Sequence, residues 1–219
     1  MTFQAFVRPR VTVNCAMSAD GKIGFVTRTQ ARISSEEDMR RVHRLRAAND
    51  AIIVGIGTVL ADDPKLTVKD DYAKGRNPIR VVLDSNGRTP IEAHVLDRKA
   101  PTIIFTNSKC KRVFGKAVVY RCGDDKVNLV EMLEILSEKG VRKVLVEGGE
   151  AVIWSFLSEG LVDQFKVFVG SLVLGGKGGP TPAGGPGVRR IEEALRFKLK
   201  KTTRLGDGVL LEYVPAVRK

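Results

Sequence analysis

The chain has 219 residues, 43% of them hydrophobic and 28% charged, the balance of a globular protein able to bury a sizeable core. Its net charge of +12 suits nucleic acid or anionic small molecules equally well. The cations are scattered and aromatic residues make up only 6%, so no basic, aromatic-studded stacking platform is present and nucleic acid is not the expected partner.

In chain order, RVTVNCAM (10–17) has the β-branched pattern of a strand and ends in the turn-forming SADGK. SSEEDMRRVHRLRAAND follows with two overlapping helix-start signals, Ser34 with Glu37 and Ser35 with Asp38, ahead of helical spacing at Met39, Val42 and Leu45. AIIVGIG (51–57) reads as a buried strand that empties into two glycines. A short helix, TVLADD, is expected next, with Thr58 placed to cap it and Asp62 and Asp63 closing it before Pro64. PIRVVLDSNG (78–87), APTIIFTN and AVVYRCG continue the strands. NLVEMLEILSEKG is a helix with Leu129, Met132, Leu133 and Leu136 on one face and Gly140 at its end. KVLVEGG (143–149) is a strand leading into the helix EAVIWSFLSEG. DQFKVFVGSLVLGG is a strand running into a glycine-proline loop, and FKLKKTTRLGDGVLLEYV reads as a hairpin around Gly-Asp-Gly. The alternation implies an α/β fold: a mostly parallel central sheet with helices on both faces and a C-terminal antiparallel hairpin. No low-complexity linker or repeat divides it, so residues 1–219 are expected to form one domain.

Ligands of open α/β sheets bind beyond the carboxyl ends of the strands, which makes four strand ends the candidate sites. In VEGGEAVIW, two glycines between strand and helix admit a pyrophosphate to the helix N-terminus, or simply make a tight turn. In GIGTVLADDP no third glycine completes a dinucleotide fingerprint, since Leu60 stands there. The Thr58 hydroxyl either caps the helix or faces a ligand, and Asp62 and Asp63 sit at the unfavourable end of the helix dipole. In VVLDSNGR, residues Asp84, Ser85 and Asn86 suit a ribose or phosphate, or an Asx-rich turn. In VNCAMSADGK, the strand amide of Asn14 needs a partner, in the protein or in a substrate, and Asp20-Gly21 fits a plain turn. The loop LGGKGGPTPAGGPG lacks Walker spacing and is either a surface loop or a lid.

Several absences narrow the choice. There is no GxxxxGK[ST], no HExxH and no zinc-type Cys/His cluster, because the only histidines are His43 and His94. No metal is expected. The three cysteines, Cys15, Cys110 and Cys122, form no CxxC pair and leave one over in any disulfide scheme, consistent with reduced thiols. The longest apolar stretch, residues 51–61, is too short to cross a bilayer. Met1 leads into TFQAFVRPRVTV without signal-peptide features, so a cytoplasmic location with no membrane association is expected.

Taken together, N-x-A-x-S-x-D-G-K-I, S-x-E-D-x-x-x-V-H-x-x-R, VGIGTVLxDDPxLTV, NPxRVVLDS and VEGG resemble the archaeal and fungal diaminohydroxyphosphoribosylaminopyrimidine reductases of riboflavin synthesis. The reductase half of bacterial bifunctional riboflavin deaminase-reductases is a more distant relative. The match runs over about residues 10–215. It implies a dihydrofolate-reductase-like fold, a homodimer, and NADPH as cofactor, with NADH undistinguished. The family holds the cofactor without the glycine triplet, which carries over to Thr58, Asp62, Leu83, Asp84, Ser85 and Asn86, with the pyrophosphate at Gly148, Gly149, Glu150 and Ala151. The phosphorylated ribosylaminopyrimidine substrate carries over to Gln30, Arg46, Leu66, Lys69 and Glu147. Arg46 and Lys69 are the cations a ribose phosphate needs. The implied reaction delivers hydride to the sugar C1′ of a ring-opened imine and gives a ribitylamino product, with Glu147, or less directly Asp20, available to hold hydroxyls or move a proton. Bacterial reductases carry lysine where this chain has Asn14 and act on the deaminated pyrimidine. Asn14 therefore implies the 2,5-diamino substrate, and the chain leaves no room for a deaminase domain or its zinc ligands. A dihydrofolate-reductase-type pterin reductase is the alternative within the fold, and a basic nucleic-acid-binding protein the alternative outside it.

Overall fold

A computed structural model of the chain describes residues 8–216. Nine strands form one sheet in the order β5-β4-β3-β2-β6-β1-β7-β9-β8. The strands are β1 (Arg10–Ser18), β2 (Ala51–Gly55), β3 (Ile79–Leu83), β4 (Thr102–Thr106), β5 (Val118–Arg121), β6 (Lys143–Gly148), β7 (Gln164–Gly170), β8 (Phe197–Leu205) and β9 (Gly208–Pro215). From β5 to β7 every pairing is parallel, and the closing hairpin β8–β9 adds the antiparallel edge against β7. The expected architecture is present.

Alternate residues of the same strands enter two apolar clusters. Val11, Val13, Ile53, Val81 and Val146 pack with Met132, Leu133 and Leu136 of α3 (Leu129–Glu138) and with Ile153 and Phe156 of α4 (Glu150–Ser158). Ile52, Val54, Val82, Ile104 and Leu145 pack with Val59 of α2 (Ile56–Asp62) and Leu45 of α1 (Glu36–Ala47) on the other face. A strand covered on both faces cannot alternate in polarity, which is why AIIVG is apolar throughout and buried at every position.

Of the four α-helices among the described residues, two start on a side-chain cap and two on a glycine. Ser35, not Ser34, caps α1 by accepting from the Asp38 N–H at 3.2 Å, and three acids in the first turn and two arginines in the last complement the dipole. Asn128 caps α3. Helix α2 departs from expectation: it begins at Ile56, directly after β2, and its N-cap is Gly55 without a side-chain bond. Thr58 therefore lies inside the first turn and is not the cap. At the other end Asp63 adopts a left-handed conformation (φ 39°), and its carboxylate accepts from the His94 N–H at 2.7 Å. Among the described residues no helix is long and apolar enough to cross a membrane.

Candidate active site

Two hollows open along the carboxyl ends of the parallel strands. One, of about 370 Å³, lies over α2 and the start of α4. The other, of about 490 Å³, reaches toward α1 and the loop at Lys69 and Tyr72. They meet at a common wall of Ile23, Gln30, Thr58, Asp62 and Gly149. A third, smaller hollow of about 140 Å³ continues the first past Leu83, Ala151 and Val152, between Ser85, Lys126 and Ser155. The three form one groove, with space for an elongated ligand that meets a second molecule at the common wall.

The turn between β6 and α4 shapes that wall. Gly148 has φ 144°, a conformation that favours glycine, and the chain then enters α4 with Gly149 as N-cap and no side-chain bond. The Gly149 N–H donates to Thr58 Oγ1 at 2.9 Å. Of the two tasks open to the Thr58 hydroxyl, the structure gives it neither in simple form: it ties α2 to the glycine turn while lining both hollows. Val152 Cγ2 stands 2.7 Å from where a Gly55 Cβ would be, so α4 seats directly on the end of β2. The early turns of α4, with their free N–H groups and positive dipole end, face the first hollow through Glu150 and Ala151.

Asp62 projects from the last turn of α2 into the same wall. Burial pushes its carboxyl pKa up, against the backbone N–H of Gln30, and its Oδ1 is buried with no hydrogen-bond partner. A buried, unpaired acceptor costs about 1–3 kcal/mol, so a ligand donor placed here would be held. A carboxamide N–H of a nicotinamide is such a donor.

Glu147 owes its position to an irregularity in the sheet. Ile53 of β2 pairs with Val146, but Val54 pairs with Gly148, so Glu147 is passed over in the ladder. Such a bulge re-aims a side chain, and Glu147 lines the larger hollow. Its carboxylate is held by Arg46, from Nη2 to Oε2 at 2.6 Å and from Nε to Oε1 at 2.9 Å, while Nη1 donates to the Thr67 carbonyl at 3.1 Å. Both side chains are largely buried, 17% and 9% exposed. Beside them, His43 is buried and stacks on Tyr72 at 5.0 Å, and its Nδ1 accepts from the Lys69 backbone N–H at 3.1 Å. Burial and then the Arg46 charge hold its pKa down at about 4, so the ring is neutral at pH 7. Lys69 itself is exposed and lies over the Tyr72 ring. Asn14 is 5% exposed, and its Oδ1 has no partner. It stands next to Cys15 and Ala16, which line the larger hollow. Burial raises the Cys15 thiol to about 12, which removes it as a nucleophile.

Other expected contacts have different tasks. Asp20 is not among the residues lining either hollow: its carboxylate accepts from Ser18 Oγ at 2.5 Å and from the N–H groups of Leu174 and Gly175, which hold its pKa down at about 2. A carboxylate so occupied anchors the glycine-rich loop and is unsuited to moving a proton. Asp84 is fully buried, and its oxygens accept from Arg88 N, Thr89 N and Thr89 Oγ1. It builds the turn after β3 and leaves no side-chain oxygen facing a ribose. Ser85 Oγ accepts from the Val127 N–H, and Asn86 is exposed beside Asn107. Leu66, at φ 50°, buries its side chain beneath α2, so only its backbone is left to meet a ligand. Glu150 receives Arg28 Nη1 at 2.8 Å and the Thr181 N–H at 3.2 Å, and its own carbonyl accepts from Gly184. The loop of residues 175–187 is thus docked on α4, with Pro180 in the wall of the first hollow. Arg28, Arg32 and Pro180 were not found from the sequence, because they sit in segments without periodicity or motif.

The RibD C-terminal domain family matches residues 9–211. The 2,5-diamino-6-ribosylamino-4(3H)-pyrimidinone 5′-phosphate reductase of Methanothermobacter thermautotrophicus is 42% identical over 213 residues, which cover 94% of this chain and 98% of that one. Among solved structures, the diaminohydroxyphosphoribosylaminopyrimidine deaminase/5-amino-6-(5-phosphoribosylamino)uracil reductase of Thermotoga maritima superposes with a TM-score of 0.81 at 28% identity, over 95% of this chain and 57% of that one. A dihydrofolate reductase from Enterococcus faecalis, at 11% identity and a TM-score of 0.53 over 94% of this chain and 96% of that one, shares the fold alone. The strand order, the grooved carboxyl edge and the match over nearly the whole chain lead to one statement: the protein belongs to the RibD C-terminal domain family and has the dihydrofolate-reductase-like fold.

Proposed function

We propose that the chain reduces 2,5-diamino-6-ribosylamino-4(3H)-pyrimidinone 5′-phosphate with NADPH, forming the ribitylamino product of riboflavin synthesis. The observation that carries this reading is the groove of joined hollows meeting at Thr58, Asp62 and Gly149. It has room for a dinucleotide on one side and a sugar phosphate on the other. When bound, the nicotinamide supplies a hydride. The chain's own residues hold the two molecules so that the donor carbon and C1′ meet at the common wall. Asp62 Oδ1 accepts from the carboxamide, and the Gly148–Gly149 turn and the start of α4 take the pyrophosphate. Leu83, Ala151 and the smallest hollow receive the adenosine arm.

In the larger hollow, Glu147 holds the hydroxyls of the opened sugar chain, its orientation fixed by Arg46. Three of the five Arg46 N–H groups are already used, which leaves two for the substrate. Lys69 adds an uncompensated positive charge. The unpaired Oδ1 of Asn14 supports its place against the pyrimidine edge, because an amide can accept from a ring amino group as well as donate, whereas a lysine only donates. A homodimer in the cytoplasm completes the reading, and light scattering checks the dimer. The test of the function is a fluorescence titration with NADPH and then NADH, followed by turnover of the pyrimidine phosphate. Tight NADPH binding with consumption in step with product supports the proposal. Absence of turnover with the cofactor bound refutes the substrate assignment.

A further inference from the structure

Between the end of α2 and Lys69 the chain has no regular structure, yet it borders both halves of the groove. Asp62, at its start, lines both hollows, and Lys69, at its end, lines the larger one. Among the described residues, positions 64–68 make no backbone–backbone hydrogen bond, so side chains must fix the segment. Leu66 is buried in its middle. At its far end Arg46 donates to the Thr67 carbonyl, Asn77 Oδ1 accepts from the Val68 N–H at 2.8 Å, and His43 Nδ1 accepts from the Lys69 N–H. At its near end, beside Asp62, the tie is Asp63 to His94.

Asp63 leaves α2 in the left-handed conformation (φ 39°, ψ 57°), which side chains other than Asp and Asn seldom adopt. His94 holds it there by three contacts. Its backbone N–H donates to Asp63 Oδ1 at 2.7 Å, and its Nδ1 stands 2.6 Å from Oδ2 and 3.1 Å from the Asp63 carbonyl oxygen. Both neighbours of Nδ1 are acceptors, so Nδ1 carries a proton and donates. His94 is fixed in turn, because its carbonyl accepts at 3.0 Å from Nη1 of the fully buried Arg80, which also donates to Asp97 and to Thr102 of β4. A line of contacts therefore runs from the interior of the sheet through Arg80 and His94 to the residue after Asp62. The Asp63 and His94 side chains are each 49% exposed, and a pair so exposed adds little to global stability. Its neighbour in the chain, however, is the carboxyl whose Oδ1 is buried and unpaired in the common wall. We infer that Asp63 is a positioning residue: gripped by His94, it holds the end of α2 so that the Asp62 carboxyl stays in the wall, ready for a ligand donor. The inference rests on the proposed reductase reading, in which that donor is the nicotinamide carboxamide, and deepens it.

The test is a double-mutant cycle on the full chain, read by fluorescence titration with NADPH. Asp63→Gly keeps the left-handed turn but removes the carboxylate, and His94→Ala removes the ring. Each weakens NADPH by at least about fivefold, because only a fraction of the molecules then hold Asp62 in the competent place. Asp63→Asn keeps both the turn and an acceptor for the His94 N–H, and retains most of the affinity. Thermal midpoints move by less than about 4 °C, as expected of a half-exposed pair. In an Asp62→Ala background, His94→Ala has no further effect on NADPH. Additive losses, unchanged affinity in the single variants, or a larger fall in midpoint overturn the inference. Hydrogen exchange in the ligand-free protein separates it from the reductase reading. The Asp63 N–H donates to the Val59 carbonyl at 3.1 Å, and in His94→Ala its exchange is faster by at least about tenfold while α3 is unchanged. That result supports the positioning role even if no pyrimidine is turned over. Unchanged exchange at Asp63 refutes it even if the reductase is active.

Discussion

Replacing Arg46 by Met keeps the apolar stem and removes the guanidinium. Glu147 then stays largely buried, at 9% exposure, with the cation at 2.6 and 2.9 Å gone, and the Thr67 carbonyl loses its donor at 3.1 Å. Breaking a buried pair by removing one partner costs about 3–5 kcal/mol, far more than the pair itself contributes, because an uncompensated charge is left behind. In a chain of this size each kcal/mol moves the thermal midpoint by about 2–4 °C, so calorimetry of Arg46→Met should show a fall of about 6–20 °C. Urea denaturation should show a lower midpoint at unchanged slope. The double variant Arg46→Met, Glu147→Gln removes both charges and should recover at least about half of the loss. A single-variant loss under about 1 kcal/mol would show that Glu147 is hydrated rather than held. A double variant no better than the single would show that the loss is not one of charge. Either result refutes the pairing argument.

Other expected outcomes follow from the same geometry. Thr58→Val removes the acceptor of the Gly149 N–H and should weaken NADPH by several-fold, on the order of 1 kcal/mol, in a fluorescence titration. Asp62→Ala should likewise weaken NADPH while the fold survives, and unchanged affinity would return Asp62 to a structural role. His43 is neutral in the fold with a pKa of about 4, against 6.5 for the free side chain, so the unfolded chain binds the extra proton between those values. Its contribution, up to about 3 kcal/mol, is complete above pH 6.5 and is lost as the pH falls toward 4. Urea midpoints across that range should show the slope, and His43→Gln should flatten it. Asn14→Lys should shift the kcat/KM ratio toward the deaminated pyrimidine, since the wrong edge leaves a buried polar group unpaired at about 1–3 kcal/mol. Equal efficiency of the natural protein on both pyrimidines would refute the order of reactions inferred from Asn14.

The strands and helices were legible because their signals are local. AIIVG is apolar along its whole length, Ser35 and Asn128 cap the helices they precede, and Gly-Asp-Gly turns the last hairpin. Thr58 was misjudged as a cap because β2 runs straight into α2, so the helix begins two residues before the first side chain able to cap it. What the sequence could not carry is register and long-range pairing. The bulge that projects Glu147 depends on how Val54 aligns with Gly148, and the Arg46–Glu147 bond spans 101 positions. Asp20 and Asp84 illustrate the converse. Their turn-forming neighbours were visible, but the N–H groups that occupy their carboxylates come from the folded turn or from residues more than 150 positions away.

The surplus of positive charge takes on meaning only when each cation is followed to its partner. Arg80 is fully buried and spends its donors on Thr102, Asp97 and the carbonyls of His94 and Ala100, holding the loop under β3. Arg28 pairs with Glu150, the acid on which the loop is docked, and Arg46 fixes Glu147. The last two cations neutralise acids that line the groove, Glu150 in the first hollow and Glu147 in the larger one, which lowers the negative potential there. Arg32 and Lys69 line the larger hollow and make no ion pair among the described residues. A net charge of +12 says little about ligands until each cation is sorted into those the fold pairs with acids and those it does not.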